Sequence, residues 1–236
     1  MGQKKLIRFE ELKTFPNVLQ FPPDMAGNWK NYFHNHHPIV LELACGKGEY
    51  AVGLAAQHQD QNFVGVDLKG NRLWVGARRA LQSELSNVAF LRVQIDQIDE
   101  YFSQNEVSEL WITFPDPQLR LSKAKKRLTH PKFLRVYQSI LVPGGRIHLK
   151  TDSPELYEFT KIVIELCDCQ LHTDHDDVYA LAEVPSELSI KTHYESLDIA
   201  GSNRIHYLSF SLPDRIPGKE IDEVLKKRLE SNEGSD

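Results

Sequence analysis

A chain of 236 residues, 41% hydrophobic and 26% charged, can bury a substantial core and has the composition of an ordinary globular protein. Its net charge of −5 excludes general nucleic-acid stickiness, so any nucleic-acid contact must come from a local basic patch. Cys45, Cys167 and Cys169 lack paired metal spacing, residues 1–8 lack the apolar core of a signal peptide, and no run approaches a membrane span. The expectation is a cytoplasmic protein with reduced thiols, no metal and no membrane contact.

Residues 4–23 read as a mixed extension in which Pro16, Pro22 and Pro23 bar a long helix. Trp29, Tyr32 and Phe33 are expected to pack on the first strand. His34, His36 and His37 have no acidic or cysteine partner at ligand spacing and read as a solvated loop. The chain is organised around the stretch that follows. Ile39, Val40 and Leu41 open a short apolar run that is β-branched at its start, Gly46 and Gly48 break it, and a helical pattern begins at Tyr50. That is a strand, a tight turn and a helix, with glycines where the backbone turns sharply and approaches a ligand.

The residues of the turn narrow the ligand. A dinucleotide would place a pyrophosphate at the helix N-terminus. Here a carboxylate, Glu42, precedes the turn, and Ala51 replaces the third glycine of the dinucleotide fingerprint. S-adenosylmethionine carries a sulfonium and an ammonium, which an acid suits better. The second strand, residues 62–66, ends at Asp67, about 20 residues on, where a ribose diol would be held.

Residues 71–85 form a helical pattern with Leu73, Ala77, Leu81 and Leu85 on one face. Arg72, Arg78 and Arg79 lie elsewhere as a solvated face, and Trp74 suits either an adenine contact or the helix edge. Further strands are read at 88–93, 110–114, 146–151 and 205–210, with a Pro143-Gly144-Gly145 turn and a helix over 155–166. Alternating strands and helices predict a mainly parallel sheet covered on both faces, with ligands at the carboxyl ends of the strands. Glu42, Asp67, Asp96, Asp116 and Asp152 all fall at or just past such ends. In residues 217–236, Ile221, Val224, Leu225 and Leu229 define an amphipathic helix.

Two prolines bracket Asp116 in Phe114-Pro115-Asp116-Pro117, and a basic run, residues 118–131, follows. A rigid turn with an incidental acid and a solvated charged face are the plain readings. Their adjacency beside the expected cofactor favours a phosphate-contacting segment built from Arg120, Lys123, Lys125, Lys126 and Arg127. Asp152 with Ser153-Pro154 also reads as a helix start, and residues 192–195 as a polar loop.

Taken in order, Glu42 with Gly46 and Gly48, Phe114-Pro115-Asp116-Pro117 with Lys126-Arg127, Thr151-Asp152, and Thr192-His193-Tyr194-Glu195 resemble the bacterial tRNA (guanine-N(7)-)-methyltransferase family over residues 29–212. The resemblance implies a Rossmann-like class I methyltransferase fold, α/β with a mainly parallel twisted sheet and helices on both faces. It divides the chain into an N-terminal extension (1–28), a methyltransferase domain (29–212) and a C-terminal helix and tail (213–236). It further implies methyl transfer from S-adenosylmethionine to nitrogen 7 of a guanine in the tRNA variable loop. By the same resemblance, Glu42, Gly46, Gly48, Asp67, Asp96 and Asp116 line the cofactor, Asp116 is the active-site acid, and Arg120, Asp152, Thr192, Tyr194 and Glu195 face the substrate. The partner is tRNA, no obligate protein partner is implied, and a monomer or a homodimer is compatible. Ala44 stands where the family often has Gly, Gln118 where Trp is frequent, and Arg120 where Lys is common, which exchanges a point charge for a planar fork. Two rival readings remain at this stage: a nicotinamide-dependent oxidoreductase, and a non-catalytic RNA-binding protein on the same fold.

Overall fold

A computed structural model describes residues 2–197, 201 and 203–233. Eight strands form one sheet in the order β1-β4-β3-β2-β5-β6-β8-β7, where β1 is Val18–Gln20, β2 Ile39–Leu43, β3 Asn62–Val66, β4 Val88–Arg92, β5 Val107–Thr113, β6 Leu141–Thr151, β7 Gln170–His175 and β8 His206–Ser211. Pairings from β1 through β6 are parallel, and β8 runs antiparallel to both β6 and β7. The chain builds β3 and β4 on one side of β2 and then returns to place β5 on the other. The carboxyl end of β2 is therefore the switch point where an open α/β sheet has its crevice.

Side-chain alternation along β2 builds both layers of core. Ile39, Leu41 and Leu43 face a cluster with Trp29, Phe133, Leu134, Phe159 and Leu225, whereas Val40 faces a cluster with Tyr50, Leu54, Leu73, Phe90 and Trp111. Helices α2 (Trp29–Phe33), α5 (Pro131–Ile140), α6 (Pro154–Leu166) and α8 (Glu220–Glu233) supply the first layer, and α3 (Glu49–Gln57), α4 (Gly70–Gln82) and the short α7 (Ser186–Ser189) supply the second. Trp29 is fully buried and stacks on Phe102 with ring centroids 4.9 Å apart. Trp29 and Phe33 also share a core cluster with Ile39, Leu41 and Leu43 of β2, and Tyr32 packs against it, as expected of this aromatic group.

Residues ahead of Trp29 are more ordered than their composition suggests. Helix α1 (Gly2–Leu12) ends before Pro16 and lies on α4, with Phe9 and Leu12 against Gly70 and Glu11 accepting from Trp74 Nε1 at 2.8 Å. Strand β1 then adds to the edge of β4. Trp74 is held between the guanidinium groups of Arg8 and Arg78, which makes it a helix-edge residue. At the other end, α8 buries Leu225 and half-buries Ile221 and Leu229, but Val224 points outward and is 47% exposed. Arg135 grips Asp222 through two hydrogen bonds and fixes α8 to α5. Among the described residues, no helix is long and apolar enough to cross a membrane and no cluster suits a metal ion.

Candidate active site at the carboxyl ends of the strands

The turn after β2 is shaped by three left-handed residues, Ala44 (φ 56°), Gly46 (φ 58°) and Gly48 (φ 67°). Ala44 adopts the conformation despite its Cβ, so the glycine usual in similar chains is not needed for the turn to form. Gly48 is required by packing as well. A Cβ there would stand 2.4 Å from the Phe90 ring, and one on Gly76 would meet the Lys47 carbonyl at 2.5 Å and the same ring at 2.8 Å. Phe90 wedges between the turn and α4, which sets how closely the helix approaches the loop.

Beneath the turn lies Glu42, 3% exposed. Its Oε2 accepts from the Ala51 amide at 2.8 Å and its Oε1 from the Thr113 hydroxyl at 2.9 Å. Burial nonetheless pushes its carboxyl up to about 8; the two hydrogen bonds oppose that rise, and Glu49 and Asp67 add to it. Asp67, also buried, uses Oδ2 to hold the Gly46 amide at 3.0 Å and Oδ1 to hold the Lys69 amide at 2.7 Å. Glu42 and Asp67 thus brace the turn from within.

Beside Asp67 opens a cavity of about 430 Å³, walled by Leu68, Val93, Ile95, Leu128 and Phe133, with Ala44 at one side and Asp96, Lys125, Lys126 and Lys132 among its polar lining. Asp96 sits in the helical turn Ile95–Glu100, half-exposed and paired with Lys132 at 2.8 Å. The set suits a ligand with a cationic end, hydroxyls within reach of Asp67, and a flat apolar portion for the cavity. The Gly46 amide, which a pyrophosphate at this turn would need, already donates to Asp67, so the dinucleotide alternative fits poorly.

Asp116 lies on the opposite side of the switch point, exposed, past the end of β5. Its Oδ1 accepts from the Gln118 amide at 3.0 Å, closing a small turn between the prolines, and Phe114 and Gln118 both have positive φ. Arg127 reaches back to this loop. Its guanidinium donates to the carbonyls of Pro117, Gln118 and Leu119 and lies 4.4 Å from the centre of the Phe159 ring. Arg127 is only 5% exposed. The expectation that it contacts phosphate is therefore corrected: this cation is spent inside the protein, bracing the loop. Arg120, Lys123, Lys125 and Lys126 are exposed on or beside the helical turn Leu121–Lys126.

Asp152 directly follows β6 and is half-buried. Ser153 is the residue that caps α6, its Oγ accepting from the Leu156 amide at 3.1 Å, so the helix start does not account for Asp152. In the turn of residues 192–195, Thr192 is buried and its Oγ1 accepts from the Glu195 amide at 3.1 Å. Tyr194 is half-buried, with Cε2 3.8 Å from where a Gly46 Cβ would lie and the Arg72 guanidinium 5.4 Å from its ring centre. Glu195 turns inward, its side chain 5% exposed, toward the Lys150 ammonium at 3.1 Å and the Tyr179 hydroxyl. Burial pulls the Lys150 ammonium down and Glu195 raises it.

Arg72, Thr113, Lys150, Tyr179 and the wedge Phe90 escape a reading by motif. One signal was present in the chain: Lys150 is a charged residue inside the apolar run Ile147-His148-Leu149-Lys150-Thr151.

Residues 36–207 match a family described as putative methyltransferase. The chain is 47% identical over 228 residues to a tRNA (guanine-N(7)-)-methyltransferase of Porphyromonas gingivalis, covering 89% of this chain and 93% of the relative. It is 43% identical to one of Bacteroides fragilis, covering 94% and 91%. Among solved structures, the 16S rRNA methyltransferase KamB superposes with a TM-score of 0.61 at 15% identity over 79% of this chain and 94% of that one, a likeness of fold.

Proposed function

This chain belongs to the tRNA (guanine-N(7)-)-methyltransferase family, and from that membership and the site geometry we propose how its residues act. The protein is an S-adenosylmethionine-dependent enzyme that methylates nitrogen 7 of guanine in tRNA, and we assign the guanine to the variable loop. The oxidoreductase and the non-catalytic binder are not favoured. One observation carries the assignment of residues: carboxylates lie at or past the carboxyl ends of β2, β3, β4, β5 and β6 as Glu42, Asp67, Asp96, Asp116 and Asp152, with the exposed cations of residues 120–126 past the end of β5.

Glu42, the Gly46 and Gly48 turn, Asp67, Asp96 and Asp116 would hold the cofactor. S-adenosylmethionine supplies an electrophilic methyl group. Nitrogen 7 of guanine offers a free lone pair, so this chain need not remove a proton before the displacement. Positioning and electrostatics are left for the protein to provide. Asp116 would accept hydrogen bonds from the guanine N–H edge, and its charge would favour the transition state, in which the base turns cationic. Arg127 holds the Asp116 loop rigid for that purpose. Tyr194, beside the Gly46 turn, offers a stacking face for a base drawn out of the folded RNA. Thr192, Tyr194 and Glu195 form the turn that presents that face, and Asp152 and Arg120 would contact the substrate.

The test uses Asp116→Asn, which keeps the size and removes the charge. Single-turnover methyl transfer to unmodified tRNA should fall at least about 100-fold while tRNA affinity changes little. Transfer at the wild-type rate would reduce Asp116 to a turn residue.

A further inference from the structure

Lys150 is wholly buried, yet its ammonium does not serve the crevice directly. It donates to the Leu188 carbonyl at 2.8 Å, the Ile190 carbonyl at 3.0 Å and Glu195 Oε2 at 3.1 Å. All three acceptors belong to the strap of residues 185–197 that crosses the carboxyl end of β6. The rings of Tyr50, Phe114 and Tyr179 surround the same ammonium at 5.4, 5.6 and 5.7 Å. Glu195 is held a second time by the Tyr179 hydroxyl and closes on Thr192 through its own amide. The backbone of Lys150 secures the other wall: its carbonyl accepts from the Phe114 amide at 2.8 Å, two residues before Asp116.

We infer that Lys150 and Glu195 form a buried anchor that positions Tyr194 over the Gly46 turn, so that the pair acts on cofactor binding through the strap rather than by contact. A buried ion pair is costly to desolvate and is retained where it fixes geometry, and here each bond of the ammonium ends on the segment that carries Tyr194. Tyr194 Cε2 lies 3.8 Å from where a Cβ on Gly46 would stand, and that placement over the turn is what the anchor maintains. The inference rests on the cofactor reading above but makes a claim about the strap that stands without it.

Removing one charge alone would strand the other, so the informative variant is the paired Lys150→Met/Glu195→Met, with Glu195→Gln as a milder companion. Two measurements are made. In ligand-free protein, amide hydrogen exchange over residues 185–197 should quicken in the paired variant while β2 to β5 keep their protection. S-adenosylhomocysteine is then titrated calorimetrically into wild type, Tyr194→Ala, the paired variant and their combination. Tyr194→Ala and the paired variant should each weaken binding roughly tenfold, and the combination should weaken it no further, as expected of residues acting in one unit. Unchanged exchange in the strap, or losses that multiply in the combination, would overturn the inference. Wild type that fails to bind S-adenosylhomocysteine would refute the cofactor reading instead, with the exchange result still deciding the anchor.

Discussion

Glu42 is a carboxylate placed where water does not solvate it, and that gives it a measurable signature. Its folded value is raised from the ordinary 4.5 to about 8, so between those values the native state holds a proton that the unfolded chain has released. Stability contributed by this group therefore falls as pH rises from about 4.5 to about 8, the reverse of the usual carboxylate. A cationic ligand favours the ionised form, so cofactor affinity should climb with pH, by up to about tenfold per unit below 8, and level off above it. Glu42→Gln should flatten both profiles. Calorimetry at several pH values checks the affinity, and urea denaturation checks the stability; identical slopes in wild type and variant would show that Glu42 titrates elsewhere. The presence of Glu42 at the turn was legible from its place before two glycines. Its partner Thr113 was not, because a hydroxyl at a strand end has no pattern until β5 is laid beside β2.

At the scale of elements, the Gly turn and α4 are set by one ring. Gly48→Ala and Gly76→Ala should each cost about 1–3 kcal/mol, because Phe90 and the Lys47 carbonyl fill the space a Cβ needs. Urea denaturation reads this loss, and Phe90→Leu should partly restore the Gly48→Ala protein by vacating that space. The basic segment divides by burial. Each charge removed from Arg120, Lys123, Lys125 or Lys126 should reduce the slope of log tRNA affinity against log salt by roughly 0.7 to 0.9. Arg127→Met should leave that slope unchanged and instead lower stability and methyl transfer, since its guanidinium is committed to the 117–119 carbonyls. Equal salt slopes for all five variants would contradict the division. Sequence alone cannot make it: five cations within eight residues look alike until the chain decides which one faces Phe159.

Across the whole molecule, β2 to β5 were legible because each is a short, largely buried run with an acid near or soon after its end. Strand β6, by contrast, starts at Leu141 rather than 146, its Pro143-Gly144-Gly145 segment lying where the pairing with β5 shifts register instead of ending the strand. Elements at the margins were not legible. Strand β7 is an exposed edge with a polar sequence, Gln170-Leu171-His172-Thr173-Asp174-His175, and β1 is only three residues long; both exist because a neighbouring strand offers its edge. Helix α1 owes its place to the packing of Phe9 and Leu12 against Gly70. The Lys150–Glu195 anchor joins positions 45 residues apart, and only the fold brings them together. What the fold assembles is a row of acids at the carboxyl ends of adjacent parallel strands, in a negatively charged chain with an exposed basic segment beside them. We propose that methyl transfer to guanine in tRNA takes place at these strand ends. The most direct test incubates purified protein with isotopically labelled S-adenosylmethionine and unmodified tRNA, then maps the label by nuclease digestion and mass spectrometry. One labelled methyl per tRNA is expected, on nitrogen 7 of a guanine in the variable loop and lost in Asp116→Asn; label absent from tRNA, or found on another atom, would show that these strand ends do something else.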